Sequence, residues 1–414
     1  MSLEVRPIDE SEFRAWLRAI RVAFLHPPVV PDEEVADKLP HHGLARTFGA
    51  FDRGRLVATF RSFDQELSTV GGAVLAANAV SAVTVSPTHR RRGLLSRMMR
   101  EDLAAAKERG AACATLIAAE YPIYGRFGFG PASWATEWSV DVARAGLDPR
   151  GPGPGADGGE VELTDGAGIR ELGPALHRRL AGRRAGVTAR TPRNWQLVTG
   201  GGFRAKPWTE PYHALYRGAS GEVEGYVSYT AEDKWTDANQ PDGRVNVREL
   251  VAAGAEAERA LWRFVCAIDW VTEVRSGGRA PDDPLPLLLP DPRAARVVTH
   301  SDMLWLRVLD VPKVLEPRTY AAEGALVLDV RDAAGLAGGR FRLDASPKGG
   351  SCAPTGEAPD LVLDVAELAR LALGDESASR LVALGRIEEA APGAAARADL
   401  LLRSARRAWT LDVF

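Results

Sequence analysis

The stretch that decides the fold runs from Val80 to Gly110 and reads VSAVTVSPTHRRRGLLSRMMREDLAAAKERG. Its first part, with Val83 and Val85 among small residues, has the composition of a buried strand, and Pro87 ends that strand because proline cannot donate to a sheet ladder. After a short basic turn, apolar residues recur at the spacing of one helical face. They are Leu94, Leu95, Met98, Met99, Leu103 and Ala106. The pattern predicts a strand, a turn with three arginines and a helix that stops at Gly110.

The basic turn, Arg90-Arg91-Arg92-Gly93, has the properties of an anion-binding site. A turn that leads into a helix N-terminus presents unpaired backbone N–H groups and the positive end of the helix dipole, and both attract phosphate. Gly93 lets a ligand approach the main chain closely, and the three arginines add positive charge. A pyrophosphate group would suit such a turn. Arginine-rich turns before helices are nevertheless common, so the pattern alone leaves the function open.

Length and composition set the broad class of protein. The 414 residues are enough for two or three domains, and the hydrophobic (45%) and charged (26%) contents are those of a soluble globular protein. A net charge of -3 gives no indication of nucleic-acid binding. Three scattered cysteines, with no Cys/His cluster, argue against a disulfide framework and against a metal site. No signal-peptide core or membrane-spanning run is found, so we expect a cytoplasmic protein.

The first domain is predicted over residues 1–148. Hydrophobic patterning predicts one helix before the first strands, a strand–turn–strand pair around Asp52-Arg53-Gly54, and a central strand buried on both faces after the long helix. The predicted elements are a helix near 13–24, strands near 47–51, 56–63 and 74–85, the central strand at 113–119 and a tryptophan-rich strand at 133–142. The last of these is expected to close the domain.

Two further domains are predicted, at 160–297 and 302–414. A glycine- and proline-rich linker at 151–159 precedes the second domain, and a proline-rich crossing at 279–293 leads to the third. The second domain repeats the strand-then-helix order of the first, but its turn (AAGAEAE) has no arginine. The third domain opens with a strand at 303–308 and continues with alternating strands and helices.

Two motifs resemble a known family. GNAT-superfamily N-acetyltransferases carry Arg/Gln-x-x-Gly-x-Gly/Ala between a strand and a helix, and the match here is Arg90-x-x-Gly93-x-Leu95. Together, VxVxPTHRRRGLL and IYGRFGFGPA (Ile123 to Ala132) resemble the Eis (enhanced intracellular survival) family, in which Leu also replaces the last Gly or Ala. The resemblance covers the whole chain, including Phe414. It implies an α/β (α+β) fold with a GNAT-like N-terminal domain, a second GNAT-like domain without a cofactor site, and a sterol-carrier-like C-terminal domain.

The resemblance also implies an acetyl-CoA-dependent N-acetyltransferase that acts on aminoglycoside, polyamine or lysine-type amines. In that fold two parallel strands, here those ending near Val85 and Ala119, splay apart, and the acetyl-pantetheine arm fills the gap. The amides of Val83 and Val85 are expected to bond this arm, although core packing is an alternative role for both valines. The expected cofactor-binding residues are Val83, Thr84, Val85, Arg90, Arg91, Arg92, Gly93, Leu94, Leu95, Ser96, Ala119 and Glu120. No metal is expected.

Acetyl transfer to an amine needs a base for the attacking nitrogen and an acid for the leaving thiolate. No His–Cys or Ser–His–Asp arrangement is visible, which favours direct transfer. Tyr124 is the candidate acid, because its ordinary pKa near 10 is comparable with that of a thiol; the alternative is a core tyrosine with a bonded hydroxyl. The resemblance points to the α-carboxylate of Phe414 as the base. Glu120, at the end of the central strand, is the other candidate.

One departure from the family concerns the acceptor. Members that acetylate aminoglycosides have an acidic residue immediately before the terminal Phe and another just after the first helix. This chain has Val413 and His26 there, with Asp412 one place away. We therefore expect a less acidic pocket and a different amine substrate. His26 itself is expected to cap or flank the first helix.

Two further expectations follow from the resemblance. A homohexamer is implied by the resemblance alone. A non-catalytic acetyl-CoA or lipid-binding module is the alternative function, and the absence of amine-dependent CoA release would favour it.

Overall fold

Residues 3–146, 158–204 and 207–414 are described by a computed structural model, in which they form three β-sheets with helices packed on them. Most of the predicted linker at 151–159 lies outside these residues. The elements of residues 3–146 are β1 (Glu4–Pro7), α1 (Phe13–Ala23), α2 (Asp32–Lys38), β2 (Thr47–Asp52), β3 (Arg55–Ser68), β4 (Val74–Val85), α3 (Leu94–Glu108), β5 (Cys113–Ile117), β6 (Gly130–Pro131) and β7 (Trp134–Asp141).

The remaining elements continue this alternation to the end of the chain. Those before residue 309 are β8 (Glu160–Thr164), α4 (Gly166–Ala181), α5 (Pro192–Val198), β9 (Tyr212–Arg217), β10 (Val223–Glu232), β11 (Gly243–Ala252), α6 (Ala255–Cys266), β12 (Val271–Arg275), α7 (Leu285–Leu288), β13 (Ala295–Asp302) and β14 (Leu304–Val308). Those after it are α8 (Val311–Leu315), β15 (Gly324–Arg331), β16 (Gly339–Ser346), β17 (Gly349–Pro354), β18 (Leu361–Asp364), α9 (Val365–Ala372), α10 (Ala378–Ala383), β19 (Ile387–Glu389) and α11 (Ala394–Leu402).

The basic turn and its helix form as the local sequence predicts. Helix α3 buries the apolar face that starts at Leu94 and includes Met98 and Leu103. Gly110 follows the end of the helix with φ +91°, a backbone conformation that other residues rarely adopt. The predicted boundaries are therefore accurate at both ends, because spacing and capping residues are local signals.

The first sheet has the order β1-β2-β3-β4-β5-β14-β6. β4 and β5 are parallel, and the crossover between them contains the basic turn and α3. β14 pairs with β5 along its whole length, from Leu304 opposite Ile117 to Val308 opposite Cys113. β5 is thus an interior strand, as its apolar sequence predicts.

Two strands lie in a different sheet from the one that the sequence predicts. The strand at 133–142, predicted to close the first domain, is β7 of the second sheet, which has the order β13-β7-β12-β11-β10-β9-β8. The strand at 303–308, predicted to open the third domain, is β14 of the first sheet. Both predictions of sheet membership are wrong, because local patterns do not specify which strands pair. Every residue of β14 is buried, and a strand buried on both faces carries no local signal of its neighbours.

The third sheet, β17-β16-β15-β18-β19, is covered by α9, α10 and α11, and packs on the first sheet. Helix α9 contacts β6 and β14. The approach is close at Gly130 of β6, where a Cβ atom would lie 2.1 Å from the carbonyl oxygen of Ala366 in α9. The third domain is therefore in backbone contact with the first sheet.

Candidate active site

β4 and β5 separate partway along the first sheet. Their parallel pairing ends at Ala79 opposite Thr115. β4 then continues to Val85, held on its other side by β3, while β5 continues to Ile117, held by β14. Beyond Ala79 each strand therefore presents backbone N–H and C=O groups to a gap instead of to the other strand. The predicted separation of these two strands is present.

A β-bulge shapes the β4 edge of this gap. Ala82 has φ +52°, and the register with β3 shifts beside it. The Thr59 hydroxyl donates to the Ala82 carbonyl oxygen at 2.7 Å and lies 2.6 Å from the Thr84 hydroxyl. Bulges re-aim the strand that carries them. The side chain of Thr84, a predicted cofactor-binding residue, is buried and engaged with β3, so only its backbone is available to a ligand.

The basic turn lies at the end of β4 and is exposed. Gly93 precedes α3 with φ +78°, and no side chain caps the helix. A Cβ atom at Gly93 would meet no atom within 4 Å, so the space next to the first helical amides, those of Leu94 to Ser96, is open. Arg90 and Arg91 form no ion pair with any residue that the structure describes. An uncapped 15-residue helix with free arginines beside it fits a pyrophosphate.

Two contacts fix the turn to the rest of the first domain. The His89 ring bridges Thr88 (2.8 Å) and Asp52 at the end of β2 (3.0 Å). Arg92 donates to the Thr88 carbonyl at 3.2 Å, so its guanidinium group is partly occupied, unlike those of Arg90 and Arg91. The hydrogen bond between His89 and Asp52 lowers the pKa of the Asp52 carboxyl below its usual value. The turn is therefore held in place without use of Arg90 or Arg91.

Tyr124 is buried, with 7% of its surface exposed, in the core cluster that includes Val80, Met98 and Leu116 beside the gap. Its ring lies 6.2 Å from that of Phe129, edge to face. Burial, and secondarily the charge of Glu120, raise the pKa of Tyr124 above its usual value of 10. Its hydroxyl forms no hydrogen bond with the described residues. The phenol is therefore neutral and has a proton to donate.

The end of β5 differs from the prediction. The strand stops at Ile117, not at Ala119, because a short 3₁₀ turn at Tyr121–Ile123 takes the chain out of the sheet. Ala119 and Glu120 are both exposed. They follow the strand that borders the gap, and their open position leaves Glu120 solvated.

The end of the chain lies against the first sheet. The ring of Phe414 packs edge to face on that of Phe63 in β3, with centroids 5.9 Å apart. Phe63 pairs with Ala79, the last residue of β4 that pairs with β5. The ring of Phe414 therefore lies against β3, the neighbour of β4, level with the point where the gap opens.

Several contacts with the second domain hold the tail that leads to Phe414. The Trp409 amide donates to Ala185 and its indole to Gly278, at 2.9 and 3.1 Å. Asp412 accepts three hydrogen bonds from Arg190 at 2.8 to 3.0 Å. Sequence reasoning missed Arg190, which has no motif around it and becomes visible only when residues 190 and 412 meet in space.

His26 is exposed beyond the end of α1, where its amide donates to the Arg21 carbonyl at 2.8 Å. The expectation that it flanks the helix is confirmed. Among the described residues, no group of three or more His, Cys, Asp or Glu side chains is arranged to hold a metal, and none of the helices has the length and apolarity needed to span a bilayer.

The second domain has a gap of its own. The parallel pairing of β11 with β12 ends at Asn246 opposite Arg275, while β11 continues to Ala252. The helix that follows, α6, begins with Glu256 and Glu258 in its first turn. Acidic side chains at a helix N-terminus repel phosphate, so this gap lacks the anion-binding turn of the first. The absence of a cofactor site from the second module stays a prediction.

Comparison with known proteins identifies the domains of the chain and its relatives. Acetyltransferase (GNAT) domain models match residues 4–132 and 186–308, and a sterol carrier protein domain model matches residues 311–411. An uncharacterized N-acetyltransferase from Streptomyces griseus is 58% identical over the full length of both chains. N-acetyltransferase Eis from Mycobacterium tuberculosis is 35% identical over 82% of this chain and 81% of its own length.

A solved structure supports the same relationship. Eis1 from Mycobacterium abscessus superposes with a TM-score of 0.85 at 30% identity, covering 99% of this chain and 100% of that one. The predicted fold, two GNAT domains followed by a sterol-carrier-like domain, is confirmed. The two motifs, the strand gap and these similarities agree, and the chain belongs to the Eis family of GNAT-superfamily N-acetyltransferases.

Proposed function

We propose that this N-acetyltransferase moves the acetyl group of acetyl-CoA directly to an amine, with Tyr124 as general acid and the Phe414 α-carboxylate as general base. One observation carries the proposal. The gap between β4 and β5 opens at Ala79, Tyr124 belongs to the same core cluster as Val80 and Leu116, and the Phe414 ring packs on Phe63, which pairs with Ala79. Both proposed groups are thus linked to residues at the start of the gap.

The residues that would hold acetyl-CoA run from the gap to the basic turn. The backbones of Val83 and Val85 face the gap, and the amides of Leu94 to Ser96 with Arg90 and Arg91 would bind the pyrophosphate. The donor supplies a thioester, whose carbonyl carbon accepts an amine. Arg92, Gly93 and the exposed pair Ala119 and Glu120 complete the proposed set.

Tyr124 and Phe414 would move the two protons of the reaction. The C–N bond forms as the C–S bond breaks; the amine proton goes to the Phe414 carboxylate, and the Tyr124 hydroxyl proton goes to the sulfur. A solvated α-carboxylate has a pKa of about 3.5 and is a weak base. Packing of the Phe414 ring on Phe63 supports the base assignment, because it anchors the residue that carries the carboxylate. Glu120 is exposed, which makes it the weaker candidate.

A single glycine added after Phe414 tests the proposal. It turns the catalytic carboxylate into an amide and moves the new carboxylate by up to about 3.6 Å. We expect unchanged acetyl-CoA affinity by calorimetry and a turnover reduced by roughly 10²–10⁴-fold in a thiol-release assay with a panel of amines. Glu120→Gln tests the other candidate base in the same assay and should reduce turnover much less than the added glycine does.

Two outcomes would overturn the assignment. Full activity of the extended chain, with loss of activity in Glu120→Gln, would transfer the role of base to Glu120. No thiol release by the unmodified chain with any amine of the panel would favour the alternative of a non-catalytic binding module. The homohexamer and the cytoplasmic location stay predictions. The three cysteines, Cys113, Cys266 and Cys352, are all free thiols.

A further inference from the structure

A cavity of about 610 Å³ lies in the strand gap of the second domain. One wall is the part of β11 that continues beyond its pairing with β12, and another is the tail at Leu411, Asp412 and Val413. The volume is within the range of small-ligand pockets, roughly 300–1,000 Å³. Val413 is adjacent in the chain to Phe414, so the cavity reaches to within one residue of the proposed base.

The two carboxylates of this cavity, those of Glu249 and Asp412, share the guanidinium group of Arg190. Arg190 Nη2 lies 2.8 Å from Asp412 Oδ1 and 2.9 Å from Glu249 Oε1. Burial of Arg190 opposes its charge, but the nearby carboxylates, Glu249 first, outweigh it and hold the pKa above its usual value. The Asp412 carboxylate is therefore engaged in the ion pair that holds the tail.

Two other arginines of the cavity, Arg204 and Arg248, have no carboxylate partner among the described residues. Arg204 lies 4.0 Å above the Trp208 ring and donates to the Leu197 carbonyl, while its buried Nε has no acceptor. Burial, and after it the charge of Arg248, lower the pKa of Arg204. Two neighbouring guanidinium groups repel each other, and an anion between them would relieve that repulsion.

We propose that Arg204 and Arg248 bind a carboxylate on the acceptor, so that this chain acetylates amines that also carry a carboxylate, such as short peptides. The inference rests on the proposed function, since it places the acceptor next to Phe414. A guanidinium group binds a carboxylate through paired hydrogen bonds, and Leu197 and Trp208 offer an apolar surface to a side chain. A polycation would meet the unpaired positive charges instead.

The dipeptide Gly-Leu and its C-terminal amide test this, because they differ only in the carboxylate. We expect kcat/KM for Gly-Leu to exceed that for the amide and for spermidine by at least about tenfold, through KM. Arg248→Gln, and the double change with Arg204→Gln, should raise KM for Gly-Leu and so abolish its preference over the amide. Arg217→Gln is the matched control, since Arg217 pairs with Glu162 and does not line the cavity.

Binding is measured separately from catalysis, through the fluorescence of Trp208 and Trp409, which both line the cavity. Tighter binding of Gly-Leu than of its amide, lost in Arg248→Gln, supports the site even if no acceptor is turned over, a result that would count against the proposed function alone. Arg248 is exposed, so its replacement keeps the fold. Equal binding and turnover of the two dipeptides, or a preference for spermidine, would overturn the inference.

Discussion

At the scale of single residues, Tyr124 combines burial with a hydroxyl that has no partner among the described residues. Tyr124→Phe should reduce turnover by roughly 10²–10⁴-fold, because general acid assistance to the leaving thiolate is lost. Acetyl-CoA affinity should stay unchanged. Single-turnover thiol release at saturating acetyl-CoA measures the first quantity and calorimetry the second.

Stability provides the control for Tyr124→Phe. Since no hydrogen bond to the described residues is broken, the melting temperature should not fall, and a loss of activity cannot then be due to unfolding. Turnover equal to that of the unmodified chain, under conditions where chemistry limits the rate, would return Tyr124 to a purely structural role in the core.

Single residues also show where sequence reasoning stops. Tyr124 and Gly93 could be selected because they lie in local motifs, and the resemblance supplied their roles. Arg190, Arg204 and Arg248 could not, because each owes its role to residues far away in the chain. The partner that neutralises Asp412 is 222 positions earlier. Local patterns indicate which groups can do chemistry, but not which charges are cancelled.

At the scale of one element, the basic turn and α3 can be tested together. Arg91→Ala with Gly93→Ala should weaken acetyl-CoA binding by at least about tenfold, because one change removes a free cation and the other strains a position with φ +78°. The added methyl group meets no protein atom, so the fold should survive. Calorimetry measures the affinity.

Arg97→Ala is the matched control for the turn. It removes the same charge one helical turn later, where Arg97 pairs with Glu101 at 2.9 Å on the exposed face of α3. Its acetyl-CoA affinity should be close to that of the unmodified chain. Equal weakening in both variants would indicate general electrostatic attraction instead of a defined pyrophosphate site.

Elements divide into those that sequence can place and those that it cannot. The start and stop of α3 follow from helical spacing and from Gly110, which are local. The membership of β7 and β14 in a sheet depends on pairing across the whole chain, and alternation of apolar residues does not specify a partner. The sequence therefore predicted both strands correctly and assigned both to the wrong sheet.

At the scale of the whole molecule, Gly130 lies where the first sheet packs against the third domain. Gly130→Ala should destabilise the fold by about 1–3 kcal/mol, because the new methyl group would overlap the backbone of α9 at Ala366. Gly125→Ala, in the same segment, meets no atom within 4 Å and is the control. Thermal unfolding followed by circular dichroism should show a lower melting temperature for Gly130→Ala alone; equal melting temperatures would contradict this packing.

The pairing of β14 with β5 of the first sheet also has a consequence for folding during synthesis. β14, the neighbour that covers one edge of β5, leaves the ribosome roughly 190 residues after β5 does. At about 5–20 residues per second, this apolar edge waits on the order of 10–40 s for its partner. An open strand edge is a template for association with other chains. The risk of aggregation is therefore highest during synthesis, before β14 has been made. A chaperone that binds the nascent chain, more than the stability of the finished fold, would then decide the yield of folded protein.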